Sequence, residues 1–280
     1  MATGALRLAC ASEEKVLVFD PVAGGEALVV LEGHTDWVRA LTAFRDPVTG
    51  ELRLVSGSDD NTARVWNPAA GGAAIEAEPE GHSDNVKALV FFVDPATGAL
   101  RVATGSYGDN TVRVWDAETG GALLVINVGS DVRAMAFFVD PAMGAPRLAC
   151  GSDDGKVRLF DPVAGGEALV VIEGHTDWVR ALGFFMAPAT GELRLVSGSD
   201  DKTVRVFDPV AGGEALLVIN VGSMVLVLAV FADPATGELR FACGCSDGKV
   251  RIFDLVAGGE ALVVLEGHTN SLRALTVFED

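Results

Sequence analysis

The sequence predicts an all-β fold of about 24 short strands. Short apolar or alternating segments are separated by Gly, Pro, Asp and Asn at intervals of about ten residues, which is typical of hairpins joined into a meander. No segment shows a long 3.6-residue periodicity, so we expect almost no helix. The longest apolar run, residues 224–232, is far shorter than the roughly 20 residues needed to span a bilayer.

The same unit recurs six times along the chain. Each copy has an aromatic residue followed by a turn that ends in Gly-Gly, at intervals of 45 to 49 residues. These aromatic residues are Phe19, Trp66, Trp115, Phe160, Phe207 and Phe253. One stretch of ten residues, EGHTDWVRAL, occurs identically at 32–41 and 173–182. A fixed period of this length predicts a repeat architecture.

Each period contains four predicted strands, which we name a to d. In the second repeat the segments are 37–44, 51–57, 62–67 and 73–78. The chain begins in a strand b and ends just after a strand a, at 271–278. The two ends of the chain are therefore complementary parts of one repeat.

The repeated motifs resemble those of the WD-repeat family of β-propellers. They are a Gly-His pair, a SGSDD turn and a Trp-Asp dipeptide, best seen in residues 33–67 and 81–116. The resemblance covers the whole chain and implies a single domain, residues 1–280, folded as a six-bladed propeller with four antiparallel strands in each blade. The N-terminal strands b, c and d and the C-terminal strand a would form one shared blade and close the ring. Four repeats have Phe where the family has Trp, and two lack Gly-His.

All four histidines lie in Gly-His pairs. In the resembled family this His joins a buried hydrogen-bond network with a Ser or Thr of strand b, an Asp of the b–c turn and the Trp of strand c. Carried over to this sequence, the network residues are His34, Ser56, Asp60, Trp66, His82, Thr104, Asp109, Trp115, His175, Ser197 and Asp201. The third of these sets meets Phe207, which has no N–H to donate. We expect a structural role for the four histidines, including His268.

The remaining chemistry predicts no metal site, no cofactor and no catalytic residue. Cys243 and Cys245 form a C-x-C pair, which is a weak metal signal, and the four cysteines are expected to be reduced thiols that act as small hydrophobes. A Ser-His-Asp set recurs in several repeats, whereas a nucleophile is rarely present in triplicate. The net charge of −18 disfavours nucleic acid and anionic membranes as partners.

The start of strand a varies between repeats that are otherwise nearly identical. In the resembled family this position faces the mouth of the central channel, where partners often dock. The candidate partner-binding residues are Trp37, Arg39, Asn85, Lys87, Asp131, Arg133, Trp178, Arg180, Met224, Leu226, Ser271 and Arg273. Trp37 and Trp178 lie three repeats apart, so we expect two exposed indoles on opposite sides of one mouth. Five cations in this set favour an acidic or phosphorylated peptide as the partner.

The sequence therefore predicts a soluble, cytoplasmic, monomeric scaffold that binds a protein or peptide without catalysis. Variation at exposed sites by drift is the simpler account of the mouth residues. Two alternatives for function also stay open. The high identity between repeats fits an engineered or recently amplified repeat scaffold with no dedicated ligand. An enzyme with a site at the channel mouth is the other alternative, although the mouth residues include no chemically unusual polar cluster.

Overall fold

The structure, a computed structural model, describes most of the chain. The described residues are 7–22, 25–45, 49–72, 74, 76–77, 81–234 and 236–275. The chain divides into two compact units. The first comprises Met1–Val132 with Pro162–Gly165, and the second comprises Arg133–Asp161 with Gly166–Asp280.

The first unit contains three antiparallel sheets, in which strands that follow each other in the chain are neighbours. The first sheet consists of β1 (Leu8–Ser12), β2 (Lys15–Phe19) and β3 (Val29–Glu32). The second sheet consists of β4 (Val38–Arg45), β5 (Leu52–Ser58), β6 (Ala63–Trp66) and β7 (Glu76–Ala77). The third sheet consists of β8 (Val86–Val93), β9 (Leu100–Ser106), β10 (Thr111–Asp116) and β11 (Ala122–Asn127).

The second unit contains the other three sheets, apart from Val132 at the start of β12. The fourth sheet consists of β12 (Val132–Val139), β13 (Pro146–Ser152), β14 (Val157–Phe160) and β15 (Val170–Ile172). The fifth sheet consists of β16 (Val179–Met186), β17 (Leu193–Ser199), β18 (Thr203–Phe207) and β19 (Leu217–Asn220). The sixth sheet consists of β20 (Val225–Ala232), β21 (Leu239–Cys245), β22 (Val250–Asp254) and β23 (Val263–Leu265).

The all-β fold class is confirmed. The six antiparallel sheets are consistent with a six-bladed β-propeller, and no segment of the described residues is helical. In particular, no described helix is long and apolar enough to cross a membrane. The first sheet has three described strands. Residues 271–275 of the predicted closing strand form no strand, and 276–278 lie outside the described residues. Ring closure and the single domain therefore stay predictions.

Successive sheets within each unit pack through aromatic side chains of strand a. Phe44 of the second sheet stacks on Phe91 of the third, with 5.3 Å between ring centroids. Phe138 of the fourth sheet meets Phe184 of the fifth at 4.5 Å. Ring pairs at these separations stabilise a core beyond the area that they bury. In these two pairs of sheets the apolar run of strand a is therefore part of the packing surface.

A glycine in the middle of strand b allows the next sheet to approach closely. A Cβ atom on Gly198 would lie 2.4 Å from Cγ1 of Val225 in the following sheet. The equivalent distance is 2.6 Å from Gly57 to Val86 and 2.7 Å from Gly151 to Val179. The glycine of the recurring SGS motif is thus required by contact between sheets, since any side chain would occupy the space of a buried valine.

We predict that Gly198→Ala lowers the free energy of unfolding by about 1–3 kcal/mol, because the added methyl group forces Val225 or the whole sheet to move. Urea unfolding measures this cost. Val225→Ala in the same background should recover part of it. Gly183→Ala is the matched control, because its nearest new contact would be an ordinary 3.4 Å. A Gly198→Ala protein as stable as the parent chain would contradict the close packing.

Candidate functional site

Three hydrogen-bond chains run through the interior of the sheets. In the third sheet the Trp115 Nε1–H donates to Thr104 Oγ1 at 2.8 Å. That hydroxyl lies 2.8 Å from His82 Nε2, and His82 Nδ1 lies 2.7 Å from Asp109 Oδ2. An indole N–H can only donate, so the threonine O–H is available to donate to Nε2, and Nδ1–H donates to the carboxylate. This order of donors requires a neutral imidazole.

The same geometry recurs in the second sheet. Trp66 Nε1–H donates to Ser56 Oγ at 2.8 Å, and Ser56 Oγ lies 2.7 Å from His34 Nε2. His34 Nδ1 lies 2.8 Å from Asp60 Oδ2. The chain is thus complete from indole to carboxylate in both repeats that carry a strand-c tryptophan.

The fifth sheet has a shortened version of this chain. His175 lies 2.7 Å from Ser197 Oγ and 2.8 Å from Asp201 Oδ2. Phe207 meets the imidazole edge-on, with 6.5 Å between ring centroids, and donates nothing. Burial and packing of an aromatic ring here replace the hydrogen bond from an indole.

Sequence reasoning missed one member of these chains. A threonine hydroxyl donates to the second oxygen of each network aspartate at 2.6 to 2.8 Å. The three residues are Thr62, Thr111 and Thr203. The signal was present in the sequence: each threonine lies two residues after its aspartate, and lysine replaces it in the repeats without Gly-His, at Lys156 and Lys249.

The ionisation of these groups follows from burial and hydrogen bonding. Burial lowers the pKa of His82 below its ordinary value, against the attraction of Asp109. Burial alone would raise the pKa values of Asp60 and Asp201. Hydrogen bonds from the neighbouring histidine and threonine outweigh burial and hold both pKa values well below the usual range. In the third sheet a neutral His82 imidazole against an ionised Asp109 carboxylate is therefore the favoured state.

His268 differs from the other three histidines. It is exposed, whereas His34, His82 and His175 are 5, 5 and 8% exposed. The chain forms no strand between Glu266 and Leu275. The structural role expected for His268 is therefore not seen in the described residues.

Several candidate partner-binding residues lie at a β-bulge at the start of strand a. The pairing of strand a with strand b shifts register there in four sheets, between Val38 and Ala40 in the second sheet for example. The residues passed over are Arg39, Lys87, Arg180 and Leu226. A bulge leaves the extra residue out of the ladder and redirects its side chain. These side chains therefore need not follow the strict alternation between the two faces of the sheet.

In the first unit, four candidate residues gather around one carboxylate. Asp59 accepts hydrogen bonds from Arg39 Nε at 2.7 Å and from Lys87 Nζ at 2.5 Å. Asn85 Nδ2 donates to the Asp59 backbone oxygen at 2.8 Å. Burial raises the pKa of the Asp59 carboxyl, but the hydrogen bonds and charges of both cations outweigh burial and lower it. The Trp37 indole, 53% exposed, lies with its ring centroid 5.1 Å from the Arg39 guanidinium.

In the second unit each arginine has its own carboxylate. Arg133 makes a two-point contact with Asp153 at 2.6 and 2.9 Å, and Arg180 donates to Asp200 at 2.8 to 3.1 Å. Both guanidiniums also lie over the Trp178 ring, at 4.3 and 4.5 Å from its centroid. Trp178 is half-buried as a result, which differs from the expected exposed indole.

The other candidate residues are more dispersed. Asp131 accepts a hydrogen bond from a backbone N–H of the b–c turn at 2.9 Å. Met224 is 41% exposed, and Leu226 is half-buried. Ser271 donates to a backbone oxygen at 3.2 Å, and Arg273 is exposed. None of these contacts joins them to Asp59 or to Trp178.

Sequence reasoning did not find the carboxylates that bind the cations. Asp59, Asp153 and Asp200 each come first in an Asp-Asp pair of the b–c turn. In the third sheet Tyr107 takes this position, and Lys87 extends instead to Asp59 of the second sheet. The recurrence of Asp with a strand-a cation in the same repeat was the available signal.

No metal centre is indicated by the described residues, which contain no group of three or more His, Cys, Asp or Glu able to hold an ion. The cysteines are free thiols, and Cys150, Cys243 and Cys245 are buried. Burial raises the pKa of the Cys150 thiol well above its usual value.

Comparison with known proteins identifies the family. The sequence profile described as "WD domain, G-beta repeat" matches residues 25–67, 75–116, 124–161 and 166–208, which together exceed half of the chain. The chain belongs to the WD-repeat family. It is also similar to Elongator complex protein 2 of Schizosaccharomyces pombe, at 33% identity over 76 residues. That alignment covers 26% of this chain and 10% of the yeast protein. WD-repeat domains generally act as scaffolds that mediate protein interactions.

The sixth sheet, β20–β23, lies beyond the matched segments. It nevertheless has the same strand order as the other four-stranded sheets and the register shift of the second, third and fifth sheets. It also lacks the histidine network: Cys243 and Phe253 occupy the places of the hydroxyl and the indole. A repeat that departs from the WD motif therefore still forms the same four-stranded sheet.

We predict that His82→Ala lowers the free energy of unfolding by about 2 kcal/mol or more, because it leaves a buried hydroxyl and carboxylate without their partner. His268→Ala should cost less than about 0.5 kcal/mol, since His268 is an exposed side chain. Urea unfolding of both variants provides the comparison. Equal losses in the two variants would mean that the buried chain contributes nothing to stability.

We also predict a pH dependence from the lowered pKa of His82. The unfolded chain binds the proton more readily than the folded chain, so stability is complete above the unfolded pKa of about 6.5 and falls as the pH drops through that value. Thermal melts between pH 7.5 and 5.5 measure the decline. His82→Gln should reduce the slope in this window. An unchanged slope would assign the decline to other groups.

Proposed function

We propose that this chain is a non-catalytic scaffold that binds an acidic or phosphorylated peptide segment at Trp37. One observation carries the proposal: an indole that is 53% exposed lies beside Arg39, and Arg39 shares the single carboxylate of Asp59 with a second cation, Lys87. We call Trp37, Arg39, Asp59, Asn85 and Lys87 the Trp37 cluster. General scaffold function follows from the family, whereas the ligand and the surface are proposed from this cluster.

The chemistry of the Trp37 cluster suits an anionic ligand with an apolar or aromatic group. A large exposed aromatic side chain is a frequent hot spot in protein interfaces. The Asp59 carboxylate carries one negative charge, whereas Arg39 and Lys87 together carry two positive charges. The nearby Asp36 carboxylate accepts a hydrogen bond from the Trp37 backbone N–H at 2.7 Å. An anionic segment would compete with Asp59 and Asp36 for these cations, and it would find donors on Arg39 and Lys87 and a flat ring surface next to Arg39.

The cluster is also held in place before any ligand arrives. The Asp59 backbone N–H donates to the Trp37 carbonyl oxygen at 2.9 Å, and Asn85 binds the Asp59 carbonyl oxygen. These bonds tie the b–c turn to strand a of its own sheet and to the next sheet. A preorganised surface loses less conformational freedom on binding, which favours affinity.

In the second unit the same ten-residue sequence forms a different surface. Arg133 and Arg180 are each neutralised by one aspartate, and both lie over Trp178. We therefore assign Trp178 a supporting role in packing and place the ligand at Trp37. The expectation that the two indoles lie opposite each other across one channel mouth stays a prediction.

We also propose that the chain is not catalytic. The burial and hydrogen bonding of the hydroxyls in the Ser-His-Asp sets support this. Ser56, Thr104 and Ser197 are each 0% exposed. Ser56 and Thr104 already accept from an indole, and all three hydroxyls lie next to a histidine nitrogen. A hydroxyl enclosed in this way does not reach a substrate. The monomeric state, the cytoplasmic location and the exclusion of nucleic acid and membranes stay predictions from composition and charge.

We predict that Trp37→Ala weakens the binding of an acidic peptide about tenfold or more, because it removes the aromatic anchor. The probe is a fluorescein-labelled heptapeptide with one phenylalanine, one phosphoserine and flanking glutamates, followed by fluorescence anisotropy. Trp178→Ala is the matched control and should retain affinity within about twofold, since its ring already faces two guanidiniums.

The salt dependence and a charge-reversed probe test the sign of the ligand. Affinity should fall as salt is raised, because the cations of the Trp37 cluster are close to the surface. A heptapeptide with lysine in place of glutamate and phosphoserine should bind more weakly. Equal losses in both tryptophan variants, or tighter binding of the lysine peptide, would refute the assignment. Failure of every peptide would favour a repeat scaffold without a dedicated ligand.

A further inference from the structure

The outermost strand of five sheets carries the same exposed apolar pair. A leucine at the start of this strand or just before it, and a valine two residues later, face solvent with exposures of 41 to 58%. The pairs are Leu28 and Val30, Leu123 and Val125, Leu169 and Val171, Leu216 and Val218, and Leu262 and Val264. Single exposed apolar residues are ordinary, but a pair repeated at the same place in five sheets is a surface feature. We call each pair an edge stripe.

An edge stripe lies next to an unpaired strand edge. Among the described strands, β3, β15 and β23 each have a neighbour on one side only. In β3 the alternate residue Leu31 is buried in the core, while Val30 points away from it. Such a strand offers unpaired N–H and C=O groups beside apolar side chains, which is the requirement for adding another strand.

Three of the edge stripes are bracketed by glutamates. Along residues 26–32 exposure alternates, with Glu26, Leu28, Val30 and Glu32 exposed and the intervening residues more covered. The order acid, apolar, apolar, acid recurs with Glu167 and Glu173 and with Glu260 and Glu266. At its second glutamate, each stripe also has an ion pair of 2.6 Å to a lysine at the start of strand c or just before it. The stripe at 121–127 has glycine and asparagine in these places.

This charge pattern determines which strand can pair there. Two copies of the chain pairing antiparallel through these strands would place glutamate opposite glutamate, and like charges directly opposite each other are destabilising. A strand with basic residues at both ends meets the glutamates with opposite charge. The net charge of −18 attracts the same kind of partner over longer range.

We propose that the edges formed by residues 26–32, 167–173 and 260–266 are binding sites for an extended peptide. Its alternate side chains would run basic, apolar, apolar, basic, and it would add a strand to the sheet by backbone hydrogen bonds. The glutamates have a second effect, since they oppose pairing between copies of the chain itself. This site is separate from the Trp37 cluster and does not depend on it.

A synthetic peptide tests the proposal on the full chain. The probe is the N-acetylated, C-amidated heptapeptide Lys-Thr-Val-Thr-Ile-Thr-Lys. Hydrogen exchange measured by mass spectrometry should slow in 26–32, 167–173 and 260–266, while 121–127 serves as the internal control and should not change. A peptide with glutamate at both ends, and one with proline in place of the central threonine, should bind at least about tenfold more weakly, which corresponds to about 1.4 kcal/mol.

A variant in which the six bracketing glutamates are neutralised separates their two effects. It carries the six substitutions E26Q, E32Q, E167Q, E173Q, E260Q and E266Q. It should lose the preference for the lysine peptide over the glutamate peptide and should self-associate more strongly in sedimentation velocity. If this variant does not fold, the three peptides on the parent chain still decide the matter.

Three results would overturn the proposal. One is no slowing of exchange in any edge strand. Another is equal slowing at 121–127, which would mean that the apolar pair binds without the acidic bracket. The last is equal affinity for the lysine and glutamate peptides on the parent chain.

Discussion

The close approach of strand a to the preceding sheet, seen at Val86, Val179 and Val225, is the contact on which the candidate surface depends. The valine at the start of strand a lies against a strand-b glycine of the sheet before it, as Val86 does against Gly57. The residues on either side of this valine are Asn85 and Lys87. A buried valine next to a register shift therefore holds the preceding residue near the b–c turn and turns the following residue out of the ladder. The same valine contact therefore packs the sheets together and positions the candidate residues.

The histidine networks show how a repeat tolerates loss of its polar interior. Where Gly-His is absent, Cys150 or Cys243 takes the place of the hydroxyl and is fully buried. Phe160 or Phe253 takes the place of the indole. The imidazole, the hydroxyl and the indole disappear together, since one that remained alone would be buried without a hydrogen bond. The sheet itself is unchanged, because its strands are joined by backbone hydrogen bonds.

The two copies of EGHTDWVRAL demonstrate that identical sequence does not give an identical site. Trp178 lies under two guanidiniums, one of them from Arg133 on the strand a of the preceding sheet. Trp37 is 53% exposed and lies beside Arg39. Lys87 extends to Asp59 in the first unit because Tyr107 replaces the aspartate of its own turn. Neighbouring repeats, which are less conserved than the motif, thus decide the charge and exposure of each indole.

The sequence by itself determined the all-β class, the six repeats, the strands of the second sheet to within about three residues and most members of the histidine networks. These depend on local periodicity, turn residues and motif spacing, which are visible in one chain. Only the tertiary structure decided which carboxylate binds which cation, that the strand-a residues lie at a bulge, and that one tryptophan is covered while its copy is exposed. Those features arise from side chains about 20 or more residues apart that meet across strands and sheets. No local pattern encodes the distance between them.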